Sequence, residues 1–434
     1  MAEAVGRRRR SGARRASTGS RSAVRRLAFS RGVTYAGGNA AFWALSAILY
    51  EQTHSVTLVD AAALASFSVP AAISPLAGLL GDYHDRRRVM IGSELAGAVC
   101  FLALAASTGS PVALLGLRVL ASIAWAPMEP ATNAALPSLV PEDDLDHANA
   151  SIAKAGIAGC LIGSAVAGVM LATVAAPLVF LLNTITFLIS AAAIYSIRGD
   201  FRPQPVHRER MAAGFAFLRR HAVLRPVIVA YAVTFIGIGV SIPAEIVLAG
   251  EFGAGYIGYA AMFTLWGVGG LIGASAGNRL KHQPHKVKVI ATASLAVAVG
   301  LTSVSAAPVF AIALFGMAVG GVGEGLWDVT QTSLTQRVTP DGIRGRVFAA
   351  SNAAMQAGIA VGLIVSGAVT AAAGASGAFA VAGAAAAVAA LILLLQGVGA
   401  ELHSRPRPRD VPVRVAESDR PTSSAPPIEV ARTA

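Results

Sequence analysis

The chain has 434 residues, 55% of them hydrophobic and 13% charged, with a mean hydropathy of +0.62. Soluble domains carry about 25% charged residues, so this composition excludes an ordinary soluble enzyme and points to a protein that crosses the membrane many times. At roughly 20 residues per crossing helix, the length holds about twelve spans and no large soluble domain. The formal net charge of +12 fits Lys- and Arg-rich cytoplasmic loops better than nucleic-acid binding, and no nucleic-acid partner is expected.

In chain order, the Arg-rich segment 1–25 reads as a disordered cytoplasmic tail, because no short apolar core with a small-residue cleavage site follows it. Apolar runs of spanning length cover 31–50, 58–81, 88–108, 111–136, 148–173 and 176–197. A polar stretch intervenes, and further runs cover 225–249, 254–277, 287–306, 308–335, 347–372 and 376–397. These predict an all-α integral membrane protein with twelve transmembrane helices in two six-helix pseudo-symmetric halves, 26–198 and 225–398. A cytoplasmic linker over 199–224 joins the halves, and a disordered tail covers 399–434. In the linker, Met211, Phe215 and Leu218 lie at helical spacing opposite Arg219 and Arg220, which suits either a surface-lying amphipathic helix or a solvated loop. Apart from Arg118 and Lys154, every Lys and Arg falls in the head, the tail or every second loop, or at the run end beside one, so both termini are expected in the cytoplasm. Thr132, Leu136 and Val140 recur at a constant offset as Thr330, Leu334 and Val338, in keeping with two related halves about an axis along the membrane normal.

Chemistry-bearing motifs are scarce. Cys100 and Cys160 lie in apolar runs and suggest neither a disulfide nor a metal site. No His-Glu-x-x-His, Gly-x-Ser-x-Gly or P-loop occurs; no enzyme activity, cofactor or metal is expected. Between the second and third runs the chain reads Gly78-Leu-Leu-Gly-Asp82-Tyr-His-Asp-Arg86-Arg-Arg. This resembles the loop signature of the major facilitator superfamily, with Tyr83 where the family usually has Arg or Lys. The resemblance covers roughly residues 26–397 and is closest to twelve-helix bacterial exporters of the siderophore-export and drug-efflux type. Met90 to Glu94, Ala135 to Pro141, and Gln336 to Pro340 with Arg344 to Val347 carry it further. It implies a conformational latch of Asp82, Arg86 and Arg87, and a bacterial plasma membrane location.

Gly159, Gly163 and Gly168 are similar to the fifth-helix antiporter signature, with Ser164 in place of its usual Pro; Gly358 and Gly362 are the eleventh-helix counterpart. Small residues four apart let helices approach closely, so packing with a hinge role is expected of all five. Leu114 to Arg118 resembles the fourth-helix signature whose Arg is associated with proton coupling. A charge inside the bilayer costs about 2.5–3.5 kcal/mol, so Arg118 should face the interior and a partner.

No His lies in the runs, so Glu94, Glu129, Glu324 and Asp328 are the remaining coupling or charge-relay candidates. Glu324 and Asp328 share a helical face and suit either proton carriage or an inner gate pairing with Arg337 or Arg344. Lys154 suits an ion pair with Glu94 or Glu129, and Asp60 and Glu245 are expected at the outer mouth. Asn39, Trp43, Phe67, Phe235, Trp266 and Trp327 are candidates for lining a substrate cavity. The resulting expectation is a monomeric secondary transporter exporting a small amphipathic molecule against protons, with import, facilitation or a non-transporting sensor as alternatives.

Overall fold

The computed structural model describes residues 2–141, 144–174, 176–199, 201–202, 212–280, 283, 285–340 and 343–397. Side chains within helices are excluded at 2–19, 74–75, 78–79, 81–82, 146, 212–213 and 397. The tail expected over 399–434 lies outside the described residues, as do most of the linker and the side chains of residues 2–19, while the backbone of the head expected to be disordered is helical from Ala2. Every described element is helical, the form in which a lipid-embedded backbone satisfies its own polar groups. The helices are α1 Ala2–Thr53, α2 Val56–Tyr83, α3 Arg86–Ala106, α4 Pro111–Trp125, α5 Met128–Leu139, α6 Leu145–Thr173 and α7 Ala176–Tyr195. There follow α8 Ala212–Arg220, α9 Leu224–Ser241, α10 Ala244–Glu251, α11 Gly255–Arg279, α12 Lys286–Ser305, α13 Phe310–Val338 and α14 Arg344–Ile392.

Local chemistry sets the ends of these helices. Ser110 caps α4, its Oγ accepting the Ala113 N–H at 3.3 Å, with Pro111 in the first turn, where its missing N–H costs nothing. Two runs expected to be continuous are divided at prolines. The fourth breaks between α4 and α5 at Ala126 and Pro127, and the seventh between α9 and α10 at Ile242 and Pro243, because proline removes a helical hydrogen bond.

The reverse holds at α14, where two expected spans are written as one helix through Gly374 at φ +73°. A Cβ on Gly237 of α9 would meet the Ala382 carbonyl, and one on Gly239 would meet that of Ile359. In a straight helix residues 359 and 382 would lie about 34 Å apart, so the chain doubles back at Gly374, a conformation glycine adopts readily.

Among the described residues, ten helical stretches are long and apolar enough to cross a membrane. They differ from the twelve predicted runs in two places. α1 is not among the ten, since Arg31, Asn39 and three glycines dilute its apolar run, and 344–396 counts once despite the reversal.

α1 packs on α6 and α7, and α3 on α4 and α7, while α9 packs on α14, and α13 on α11 and α12. The two groups meet where α6 touches α11 and α2 touches α14. Glycine carbonyl contacts set these distances. A Cβ on Gly159 or Gly163 would strike the carbonyl of Gly32 or Ala36, and one on Gly358 or Gly362 that of Ala232 or Ile236. Gly168 lies instead against Ala260 of α11, across the junction between the groups. Gly273 and Gly325 join α11 to α13 in the same manner. The short α8 buries Leu218 and seats Gly214 on the Arg346 backbone at the start of α14, with Phe215 exposed; Met211 is outside the described residues.

Candidate functional site

The end of the bundle where α3 and α14 begin is called here the basic end, and the other the far end. One constellation lies inside the second group of helices. Asp328 of α13 accepts a 3.0 Å hydrogen bond from Tyr231 Oη of α9, which also lies 3.4 Å from Met355 Sδ of α14. One turn away, Glu324 accepts from Trp266 Nε1 of α11. Tyr231 stacks on Trp327 at 5.6 Å and meets Phe235 edge-on at 4.8 Å. Three sequence-selected aromatics and both carboxylates therefore converge. Trp327, however, is 2% exposed and Phe235 6%, so both pack in the hydrophobic core, whereas Asp328 is exposed. Neither carboxylate pairs with Arg337 or Arg344, among the described residues, as an inner gate would require; Arg344 Nη2 donates to the Gln336 carbonyl.

A second constellation crosses the junction. Trp43 Nε1 donates to Ser164 Oγ at 3.1 Å, and Ser164 donates to the Cys160 carbonyl at 3.0 Å with Asn39 Oδ1 at 3.4 Å. The Trp43 ring packs against Tyr259 and Phe263 of α11 at 4.6 and 4.9 Å, and Phe42 joins it to Phe67. Phe67 is partly exposed, and its carbonyl accepts from Gln356 Nε2 of α14 at 3.0 Å. At the far end Tyr256 donates to Glu51, and Asp60 faces Gly367. Asp60 and Glu245 are buried at 4% and 5%, not set at an open mouth, because helix junctions cover both.

In the first group, Arg118 Nε donates to Ser66 Oγ at 2.8 Å and its guanidinium lies over the Phe101 ring, so its partner is a hydroxyl. Glu94 is fully buried and accepts from Thr34 Oγ1 at 3.1 and 3.2 Å. Glu129 pairs at 3.3 Å with Arg31, which also lies over Tyr35 and Trp125; Lys154, the expected partner, is exposed. Arg31 stands at the very start of the first apolar run, next to the basic head, where a charge reads as part of the flanking cluster. The Tyr four residues on was the available signal. Tyr231, whose partner is distant in sequence, carried none.

The latch residues separate. Arg86 Nη1 donates to the Ala134 carbonyl at 2.7 Å, and Arg87 lies over Tyr195 at 5.0 Å. Asp85 caps α3, accepting the Arg88 N–H at 3.1 Å, the helix-terminus role that the loop's chemistry calls for. Asp82 lies in the last turn of α2, and its side chain is outside the described residues.

A bacterial homologue of the iron transporter ferroportin in its inward-facing state superposes with a TM-score of 0.68 at 18% identity, covering 86% of this chain and 98% of that one. Its outward-facing state gives 0.59. With this fold, the family match and the relatives that follow make the chain a major facilitator superfamily transporter, a multi-pass membrane protein and not an enzyme. Over residues 29–411 the sequence matches the transmembrane secretion effector family, and the chain belongs to it. The candidate bacilysin exporter BacE of Bacillus amyloliquefaciens is 25% identical over 321 residues, 72% of this chain and 81% of its own length. The multidrug efflux pump Tap of Mycolicibacterium fortuitum is 27% identical over 347 residues, 75% and 84% respectively.

Proposed function

We propose that the protein is a secondary active transporter that exports a small amphipathic compound from the bacterial cytoplasm in exchange for protons. The observation that carries this reading is the placement of Glu324 and Asp328 inside the bundle, held by Trp266 and Tyr231 rather than by cations. Carboxylates within a membrane span are rare and are kept where they face the bundle interior or a water-filled cavity that serves transport. The aromatic faces beside it suit an apolar ring, and the carboxylates suit an amine. The relatives named as a bacilysin exporter and a multidrug pump support export.

The chain makes twelve crossings in two six-helix halves, acts as a monomer and keeps both termini, and so the basic end, in the cytoplasm. It works by alternating access, and the contact of Tyr256 with Glu51 supports a conformer closed at the far end. Asp82, Arg86 and Arg87 latch the opposite conformer, and Arg118 and Glu94 support proton movement.

Inside-out vesicles acidified by respiration, with a pH-sensitive dye and a panel of amphipathic amines, test the reading. Compound-dependent proton release, absent from empty vesicles, is expected. Counterflow of labelled compound without proton movement would replace antiport by facilitation.

A further inference from the structure

A cavity of about 460 Å³ opens at the basic end between α2, α3 and α4. It lies beside the three consecutive arginines but holds only the third. Arg86 turns inward to the Ala134 carbonyl, Arg87 covers Tyr195, and Arg88 is exposed at the cavity. His84 stands at the same mouth, while the Asp85 carboxylate there is engaged in capping α3. One turn deeper than Arg88, about 6 Å along the helix, the lining changes to Gly92, Ser93 and Ile123. Leu80 and Ile123 are 46% and 42% exposed, forming an apolar lip. The cavity is thus charged at the height of the helix ends and, apart from Ser93, apolar below.

We propose that this cavity is a binding site for one anionic phospholipid. The lipid phosphate pairs with Arg88, and its glycerol and first acyl carbons fill the space between Gly92 and Ile123, with the chain leaving past Leu80. A guanidinium matches phosphate through paired N–H donors, and basic pockets between membrane helices at the headgroup level are suited to anionic lipid. The size lies within the range of small-ligand pockets. The assignment rests on the basic end lying at the membrane surface and holds whatever the protein transports.

Native mass spectrometry of the full-length protein in detergent, titrated with phosphatidylglycerol, phosphatidylcholine or inorganic phosphate, tests it. One phosphatidylglycerol should be retained at least about tenfold more tightly than phosphatidylcholine, a difference of one decade in Kd. Arg88→Ala should remove that preference. Gly92→Leu, whose added Cβ meets no protein atom within 4 Å, should block the lipid while leaving Arg88 in place, and Arg219→Ala should change nothing. Equal retention of the two lipids, unchanged binding in both cavity variants, or displacement of the lipid by millimolar phosphate would each overturn the assignment.

Discussion

Ser164 Oγ lies 3.1 Å from Nε1 of Trp43, so the residue standing in place of the proline of the antiporter signature that this helix resembles supplies the acceptor for a buried indole. Trp43 is 2% exposed and Ser164 fully buried. Ser164→Ala leaves that N–H without its partner at a cost of about 1–3 kcal/mol. A lower thermal unfolding midpoint in detergent is expected, and an unchanged midpoint would refute the assignment.

Gly163→Val drives a side chain into the Ala36 carbonyl. Overpacking costs about 1–3 kcal/mol or more, so yield and thermal midpoint should fall sharply. Gly116→Ala, which meets nothing within 4 Å, should be neutral or slightly stabilising, and fluorescence-detected size exclusion compares the two.

Arg31 and Glu129 should behave unequally although they form one ion pair. The Glu129 side chain is 56% exposed and that of Arg31 9%. An exposed pair contributes about 0–1 kcal/mol, so Glu129→Gln should barely move the unfolding midpoint. Arg31→Ala also removes the contacts with Tyr35 and Trp125, worth about 1–2 kcal/mol when desolvated, and should lower it clearly.

His221 sits between α8 and α9, outside the spans. Its Nδ1 accepts the N–H groups of Val223 and Leu224 at 3.3 and 3.2 Å, which a protonated ring cannot do. Burial lowers its pKa from the usual value. A base lowered in the folded state contributes stability above its unfolded pKa, about 6.5, and loses it as pH falls through the lower folded value. Thermal midpoints should therefore drop below about pH 6.5 and show a weaker drop in His221→Asn.

Asp328→Asn should abolish compound-dependent proton movement in vesicles while leaving folded yield intact, since Asp328 is exposed and its contact with Tyr231 can persist. Tyr231→Phe should weaken transport without abolishing it. Full proton movement in Asp328→Asn would move coupling to another carboxylate.

Composition and apolar run length determined the class of this protein by themselves, because a lipid-embedded chain has few ways to satisfy its backbone. The basic clusters, the loop at Asp82 to Arg88 and the glycines of the fifth and eleventh runs were legible for the same reason, being local in sequence. Spacing also placed Glu324 and Asp328 on one helical face. Tertiary structure alone decided what each side chain meets: Tyr231 with Asp328, Arg31 with Glu129, Trp43 with Ser164. These partners are separated by 97 or more residues, and hydropathy leaves helix rotation unread. It also decided that Trp327 and Phe235 are buried in the core, and that Asp60 and Glu245 are covered. Burial depends on which neighbour a helix face finds, and that neighbour arrives only when the bundle packs.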